Sequence, residues 1–89
     1  MARRLLKFTP AAWADYLDWQ GQDKKTLRRI NALLNEMSRD PFVGIGKPEP
    51  LRGDLSGFWS RRIDDAHRLV YQATDTELVI VACRFHYDG

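Results

Sequence analysis

A glutamate, a set of arginines and a histidine are the groups in this chain that could carry a reaction together. Glu49 sits in the proline-rich stretch Lys47-Pro48-Glu49-Pro50. Arg68 and its neighbours lie in segments of strand character, and His86-Tyr87 come near the C-terminus. Glu, Arg and His form a sufficient set for RNA transesterification. The carboxylate takes the proton of a 2′-OH, an imidazolium protonates the departing 5′ oxygen, and a guanidinium steadies the charged phosphorane. RNA supplies its own nucleophile, so this scheme calls for no cofactor and no metal.

Other chemistries lack their residues. GIGKPEP (residues 44–50) has neither the glycine spacing nor the following helix of a phosphate loop. There is no HExxH, no paired His/Cys spacing and no serine elbow. Cys83 is the single cysteine, which excludes an internal disulfide. Each candidate also has a plainer reading. Glu49 could be an ordinary loop carboxylate and His86 an exposed terminal residue. Arg68 could pair with Asp64 or Asp65 across a turn. His67 rivals His86 for the catalytic histidine, although alternation puts it on the Leu69 face, where a structural role is simpler.

The elements that must position these groups are legible in outline. At 89 residues the chain is one small domain, spanning 1–89. Hydrophobic residues at 44% and charged residues at 29% exclude wholesale disorder. The longest apolar run, Leu78 to Cys83, is far short of a membrane span, and Leu5-Leu6 is too short for a signal peptide. A soluble, cytoplasmic protein with no membrane partner is expected. The net charge of +2 says little. Its distribution says more: Lys24, Lys25, Arg28 and Arg29 form one cationic group, and Lys47, Arg52, Arg61, Arg62 and Arg68 a second. Either could simply be a solvated face.

Residues 3–8 read as a short strand. Thr9-Pro10 then signals a helix start, with Trp13, Tyr16 and Leu17 on one face and an end near Gln20-Gly21. Asp23 can cap a second helix whose apolar stripe is Leu27, Ile30, Leu33, Leu34 and Met37, closed by Asp40-Pro41. Residues 41–50 hold three prolines and two glycines and must be a loop. Residues 58–63, 67–73 and 77–85 read as a β-meander, with a short strand near Leu51-Arg52 before it. The order argues an α+β domain, with the N-terminal strand and helical hairpin packed on one face of a twisted antiparallel sheet. Alternation puts Trp59, Arg61 and Ile63 opposite to Ser60 and Arg62, and Leu69 and Tyr71 opposite to Arg68 and Val70. The uncovered face, carrying Arg68 and one of Arg61 and Arg62, is the basic surface on which to seek the chemistry.

Three blocks carry a resemblance to a known family: KPEPLRGDLSGFWSRRI (residues 47–63), HRLVY (67–71) and ACRFHY (82–87). With Trp13, Tyr16 and Trp19-Gln20, they closely resemble the Txe/YoeB branch of the RelE-like superfamily of bacterial toxins. The resemblance implies a fold similar to microbial ribonucleases and cleavage of messenger RNA in the decoding site of the 70S ribosome. It also implies neutralisation by a YefM-like antitoxin. It matches Glu49 to the general base, Arg68 to the arginine that stabilises the transition-state phosphate, His86 to the general acid and Tyr87 to the aromatic shaping the site. Lys47, Arg52 and Arg62 fall where the family places cations facing RNA, a positioning role. Family members are often homodimers, which the sequence neither supports nor excludes. The chain departs from the pattern with Phe85, where tyrosine is commoner, and with Asp88-Gly89 after the His-Tyr pair. The competing reading is a non-catalytic module of the same fold that binds ribosome or antitoxin, acting in translational block or operon autorepression.

Overall fold

The computed structural model describes residues 3–84. A short strand β1 (Leu5–Phe8) leads into helix α1 (Pro10–Gln22), which starts as its sequence dictates: the Thr9 hydroxyl accepts from the Ala12 amide at 3.2 Å, and Pro10 occupies the first turn. Asp23 then serves two helices. Its amide donates to the Trp19 carbonyl and closes α1, while its carboxylate accepts from the amides of Lys25 and Thr26 and opens α2 (Lys24–Met37). Gly21 therefore does not end α1; the cap two residues later does.

Residues 38–48 are irregular, and the chain then enters strands β2 (Glu49–Pro50), β3 (Trp59–Arg62), β4 (Arg68–Ala73) and β5 (Glu77–Ala82). The short strand falls on Glu49–Pro50 rather than on Leu51-Arg52, and a single 3-10 turn (Gly53–Leu55) occupies its connection to β3. The two remaining connections are hairpin turns, as expected. The Asp64 carboxylate accepts from the amides of Ala66 and His67 in one, and the Thr74 hydroxyl accepts from those of Thr76 and Glu77 in the other.

The sheet order is β1-β5-β4-β3-β2. The meander β2 to β5 is antiparallel throughout, and β1 adds to β5 in parallel, so the sheet is mixed. β1 is separated from its partner β5 by both helices and three strands, so residues 3–8 alone do not reveal the parallel pairing. One face of the sheet is covered by the helices. Ala12 and Trp19 of α1, Ile30, Leu33, Leu34 and Met37 of α2, and Leu69, Tyr71, Leu78 and Ile80 of the sheet form the buried core. A register shift between Val70 and Tyr71 pairs these with Ala82 and Ile80, leaving Val81 as the extra residue. After that bulge the buried Cys83 packs on α1, its Sγ 3.6 Å from the Ala12 carbonyl oxygen.

Candidate active site

The face of the sheet away from the helices brings three groups together. Arg68, on β4, donates from Nη2 to Glu49 Oε1 at 2.8 Å and from Nε to Ser60 Oγ at 2.9 Å. The register explains the meeting. Glu49 pairs with Ser60, Ser60 with Val70, and Arg68 is two residues before Val70 on the same face, so its long side chain reaches diagonally across β3 to the edge strand. The plain reading of Arg68, a pairing with Asp64 or Asp65 across the turn, is not what forms; the partner is the glutamate.

Arg62 stands directly opposite Arg68 in the β3–β4 register. Like charges so placed repel, and an anion between them relieves the repulsion. Glu49 supplies part of that relief from one side. Its side chain keeps 59% of its exposure, against 19% for Arg68, so the carboxylate stays open to an incoming molecule. Lys47 lies two residues before Glu49, exposed and with a left-handed backbone (φ 51°). Arg52 is exposed just beyond β2, at the start of the 3-10 turn. Among the described residues, the side chains of these cations border the Glu49 strand without an ion pair to it. His86 and Tyr87 lie outside the described residues. His67, the rival histidine, packs edge-on against Trp19 with ring centroids 5.0 Å apart, on the helix side. Trp19 also donates from Nε1 to the Cys83 carbonyl at 2.8 Å and carries the Arg84 guanidinium 5.0 Å above its ring, so α1 anchors the end of β5.

Arg61 belongs to neither of the cationic faces expected from the sequence. It is fully buried on the helix side of β3. All five of its N–H donors are used. Nη1 reaches Glu36 Oε1 at 2.7 Å and the Ile45 carbonyl at 3.1 Å. Nη2 reaches the carbonyls of Asp40 and Val43, and Nε the Tyr71 hydroxyl at 3.3 Å. The guanidinium bond holds the Glu36 carboxyl below the usual carboxylate range, outweighing partial desolvation. Burial pushes the Tyr71 phenol above its ordinary value. Ser60 and Arg61 are the two residues of this region whose parts the sequence reading missed. Alternation put Ser60 on one face with Arg62, which was the available signal for the first, and the register brings that face to Arg68. A basic residue on a core-facing position of a strand was the signal for the second.

Among the described residues no three His, Cys, Asp or Glu side chains gather around a point that could hold a metal ion. Nor is any described helix long and apolar enough to cross a membrane. A concavity lined by Arg4, Arg39, Phe42 and Asp75, among others, shares no residue with the Glu49 site. At the site, Ser60 and Val70 are buried and Arg68 is largely so, while Glu49 at the edge strand stays exposed.

Residues 8–87 match the family of YoeB-like toxins of bacterial type II toxin–antitoxin systems. The chain belongs to this family. Toxin YoeB of Streptomyces coelicolor is 60% identical over 82 residues, which cover 92% of this chain and 98% of that protein. Toxin YoeB of Escherichia coli K12 is 55% identical with the same two coverages. The YoeB dimer of Staphylococcus aureus superposes with a TM-score of 0.89 at 45% identity, covering 97% of this chain and all (100%) of that one. The YoeB–YefM complex of the same organism gives 0.86 at 44%, with the same coverages. The DinJ–YafQ complex of Escherichia coli, with a toxin 18% identical at a TM-score of 0.80, shares the fold alone. The family and the α+β, RelE-like architecture expected from the three sequence blocks are therefore those of this YoeB-family toxin.

Proposed function

We propose that this YoeB-family toxin is an endoribonuclease that cleaves messenger RNA in the decoding site of the ribosome and so inhibits translation. The observation that carries the reading is the Glu49–Arg68 pair at 2.8 Å on the sheet face away from the helices, with Arg62 across from it. A phosphodiester entering between the two guanidiniums competes for Nη2 of Arg68, which keeps its second hold through Nε on Ser60. Glu49 is then released to accept the proton of the adjacent 2′-OH. The 2′ oxygen attacks phosphorus, His86 gives its proton to the departing 5′ oxygen, and the products are a 2′,3′-cyclic phosphate and a 5′-hydroxyl. Arg68 stabilises the charge gathered on the phosphorane oxygens, and Tyr87 shapes the site beside His86. Lys47, Arg52 and Arg62 hold flanking phosphates and set register without reading bases.

A half-exposed carboxylate on a two-residue edge strand grips a flexible strand poorly, which favours a reaction in which the ribosome presents the messenger. A YefM-like antitoxin is the proposed inhibitor, supported by the YoeB–YefM complex of Staphylococcus aureus, and a homodimer is supported by the YoeB dimer of that organism. Both would act in the cytoplasm, where the ribosomes are. The test is cleavage of a defined messenger RNA with and without assembled ribosomes, mapped by primer extension, for the wild type, Glu49→Gln and His86→Gln. New 5′ ends in the decoding site, present only with ribosomes and lost in both variants, are expected. A folded wild type that binds ribosomes or antitoxin but cuts nothing would replace the enzyme with the binding module.

A further inference from the structure

The general base proposed above sits on a strand that has little hold of its own. β2 is two residues long and lies at the edge of the sheet, so it is paired on one side alone, with β3. Beyond its pairing with Ser60 and its bond to Arg68, Glu49 depends on the chain on either side. After it, the Leu51 amide donates to the Phe58 carbonyl at 2.9 Å. Before it, residues 40–46 are wrapped around a single buried group, the Arg61 guanidinium.

That wrapping is unusually complete. Three carbonyls of the segment, those of Asp40, Val43 and Ile45, aim inward at the guanidinium. The Tyr71 hydroxyl donates to a fourth, that of Pro41, while accepting from Arg61 Nε. Glu36 Oε1 accepts from both Arg61 and the Ile45 amide, at 2.7 and 2.8 Å. The Arg62 amide then donates to the Gly46 carbonyl at 2.6 Å. A buried cation is tolerated only when its charge and every donor are satisfied, and here the loop backbone supplies most of that satisfaction. The dependence is mutual: the loop has no regular structure to hold it, and the guanidinium replaces one.

Resting on the endoribonuclease reading, we infer that Arg61 is a positioning residue for the reaction. With Glu36 and Tyr71 it clamps residues 40–46 from beneath the sheet, and thereby holds Glu49 against Ser60 and within reach of Arg68 on the opposite face. Neighbouring positions of β3 divide the work. Ser60 and Arg62 face the site, and Arg61 between them holds the loop that delivers the base.

The experiment uses Arg61→Lys, which keeps the charge but has three donors on one atom, too few for five bonds spread in a plane. Glu36→Gln is the second variant; it keeps the volume and leaves Arg61 in place should Arg61→Lys fail to fold. For each folded variant, messenger cleavage is measured at varied ribosome concentration, in the wild-type and the Glu49→Gln backgrounds. The expected result is a maximal rate lowered about 10- to 100-fold, as a displacement of about 1 Å would produce. The half-saturating ribosome concentration stays within about twofold of the wild type. Adding Arg61→Lys to Glu49→Gln costs less than about twofold more, because the residue it positions is already gone. Equal slowing in both backgrounds would mean that Arg61 acts on the fold at large, and would overturn the inference. Amide hydrogen exchange supplies an arm that needs no cleavage. Exchange at Ile45 and Arg62 is expected to quicken at least about tenfold while the β4 and β5 amides keep their rates. Unchanged exchange at those two amides overturns the clamp even if the wild type proves to cut no RNA, an outcome that would by itself defeat only the endoribonuclease reading.

Discussion

Arg68 and Glu49 meet at 2.8 Å although 19 residues separate them, because Arg68 reaches over Ser60 from the second strand in to the edge of the sheet. The bond ties a two-residue edge strand to the middle of the meander, and its energy is modest. The carboxylate is 59% exposed, and half-exposed pairs contribute about 1 kcal/mol or less. Its value lies in placement.

Separate measurements of rate and stability follow from that distinction. Arg68→Ala is expected to lower messenger cleavage about 100- to 1,000-fold, the range for removing a donor that faces developing charge. Arg68→Lys is expected to recover little, since an ammonium cannot bond Ser60 and a phosphate in one plane. Ser60→Ala, which leaves the guanidinium without its Nε partner, should cost about threefold to tenfold. Thermal unfolding of Arg68→Lys should shift by the equivalent of about 1 kcal/mol at most. Parallel losses of rate and stability across the three variants would count against a role for this pair in the reaction.

Much of this arrangement was legible from residue types and alternation, and the parts that were not share a cause. The helix caps at Thr9 and Asp23, the apolar stripe of α2 and the two turns are local, so a short window of sequence contains their physics. Period-two alternation put Arg68 and one of Arg61 and Arg62 on the face away from the helices, and the β3–β4 register makes it Arg62. The parallel partner of β1 was not legible, because it depends on the path of the whole chain between Phe8 and Glu77. Arg61 was grouped with the surface cations because burying a guanidinium requires carbonyls from residues 40, 43 and 45 together with Glu36 and Tyr71. No short window displays that set. The two-residue β2 was placed two positions late, since Pro50 looks like the end of a loop rather than a member of a strand.

Glu36 makes the stability of the protein depend on acid. Its carboxyl titrates below the ordinary value of 4.5 in the folded chain because Arg61 bonds its charged form. A depressed folded value means stability that is present in full above the unfolded value and is lost as pH falls through the folded one. Glu36→Gln should thus be less stable than the wild type at neutral pH. The gap should close as the pH drops below about 4. Urea midpoints of both proteins between about pH 7 and pH 3 measure it. A gap that stays constant over that range would show that the charge of Glu36 contributes nothing.

Cys83 should be chemically silent in the native protein. Burial, reinforced by the nearby Asp15 carboxylate, pushes its thiol up to about 12, so almost no thiolate forms at neutral pH. Thiol reagents at about pH 8 should modify the native protein only as fast as it opens, and the guanidinium-unfolded chain at the rate of a free cysteine. Cys83→Ala removes a small group packed beneath α1, and about 1 to 2 kcal/mol of stability should go with it. Rapid labelling with the fold intact would contradict the packing of Cys83 against Ala12.

Two glycines give opposite predictions for the same substitution, and together they test the loop. Gly21 lies near the end of α1, and a methyl group there would meet nothing within 4 Å. Gly21→Ala should stabilise the protein by about 0.5 to 1 kcal/mol through helix propensity and a less flexible unfolded chain. Gly44 has φ +136°, a backbone that L side chains rarely adopt, and its added carbon would fall 1.5 Å from Glu36 Oε1. Gly44→Ala must therefore strain the backbone and displace the carboxylate that Arg61 and the Ile45 amide share. A loss of about 2 to 4 kcal/mol is expected. The loss should be smaller in the Glu36→Ala background, where the obstructing carboxylate is absent and only the backbone strain remains. Urea titration of the single and double variants measures both numbers. If Gly44→Ala were as harmless as Gly21→Ala, the loop would not be drawn down onto Glu36 and Arg61 as the hydrogen bonds require.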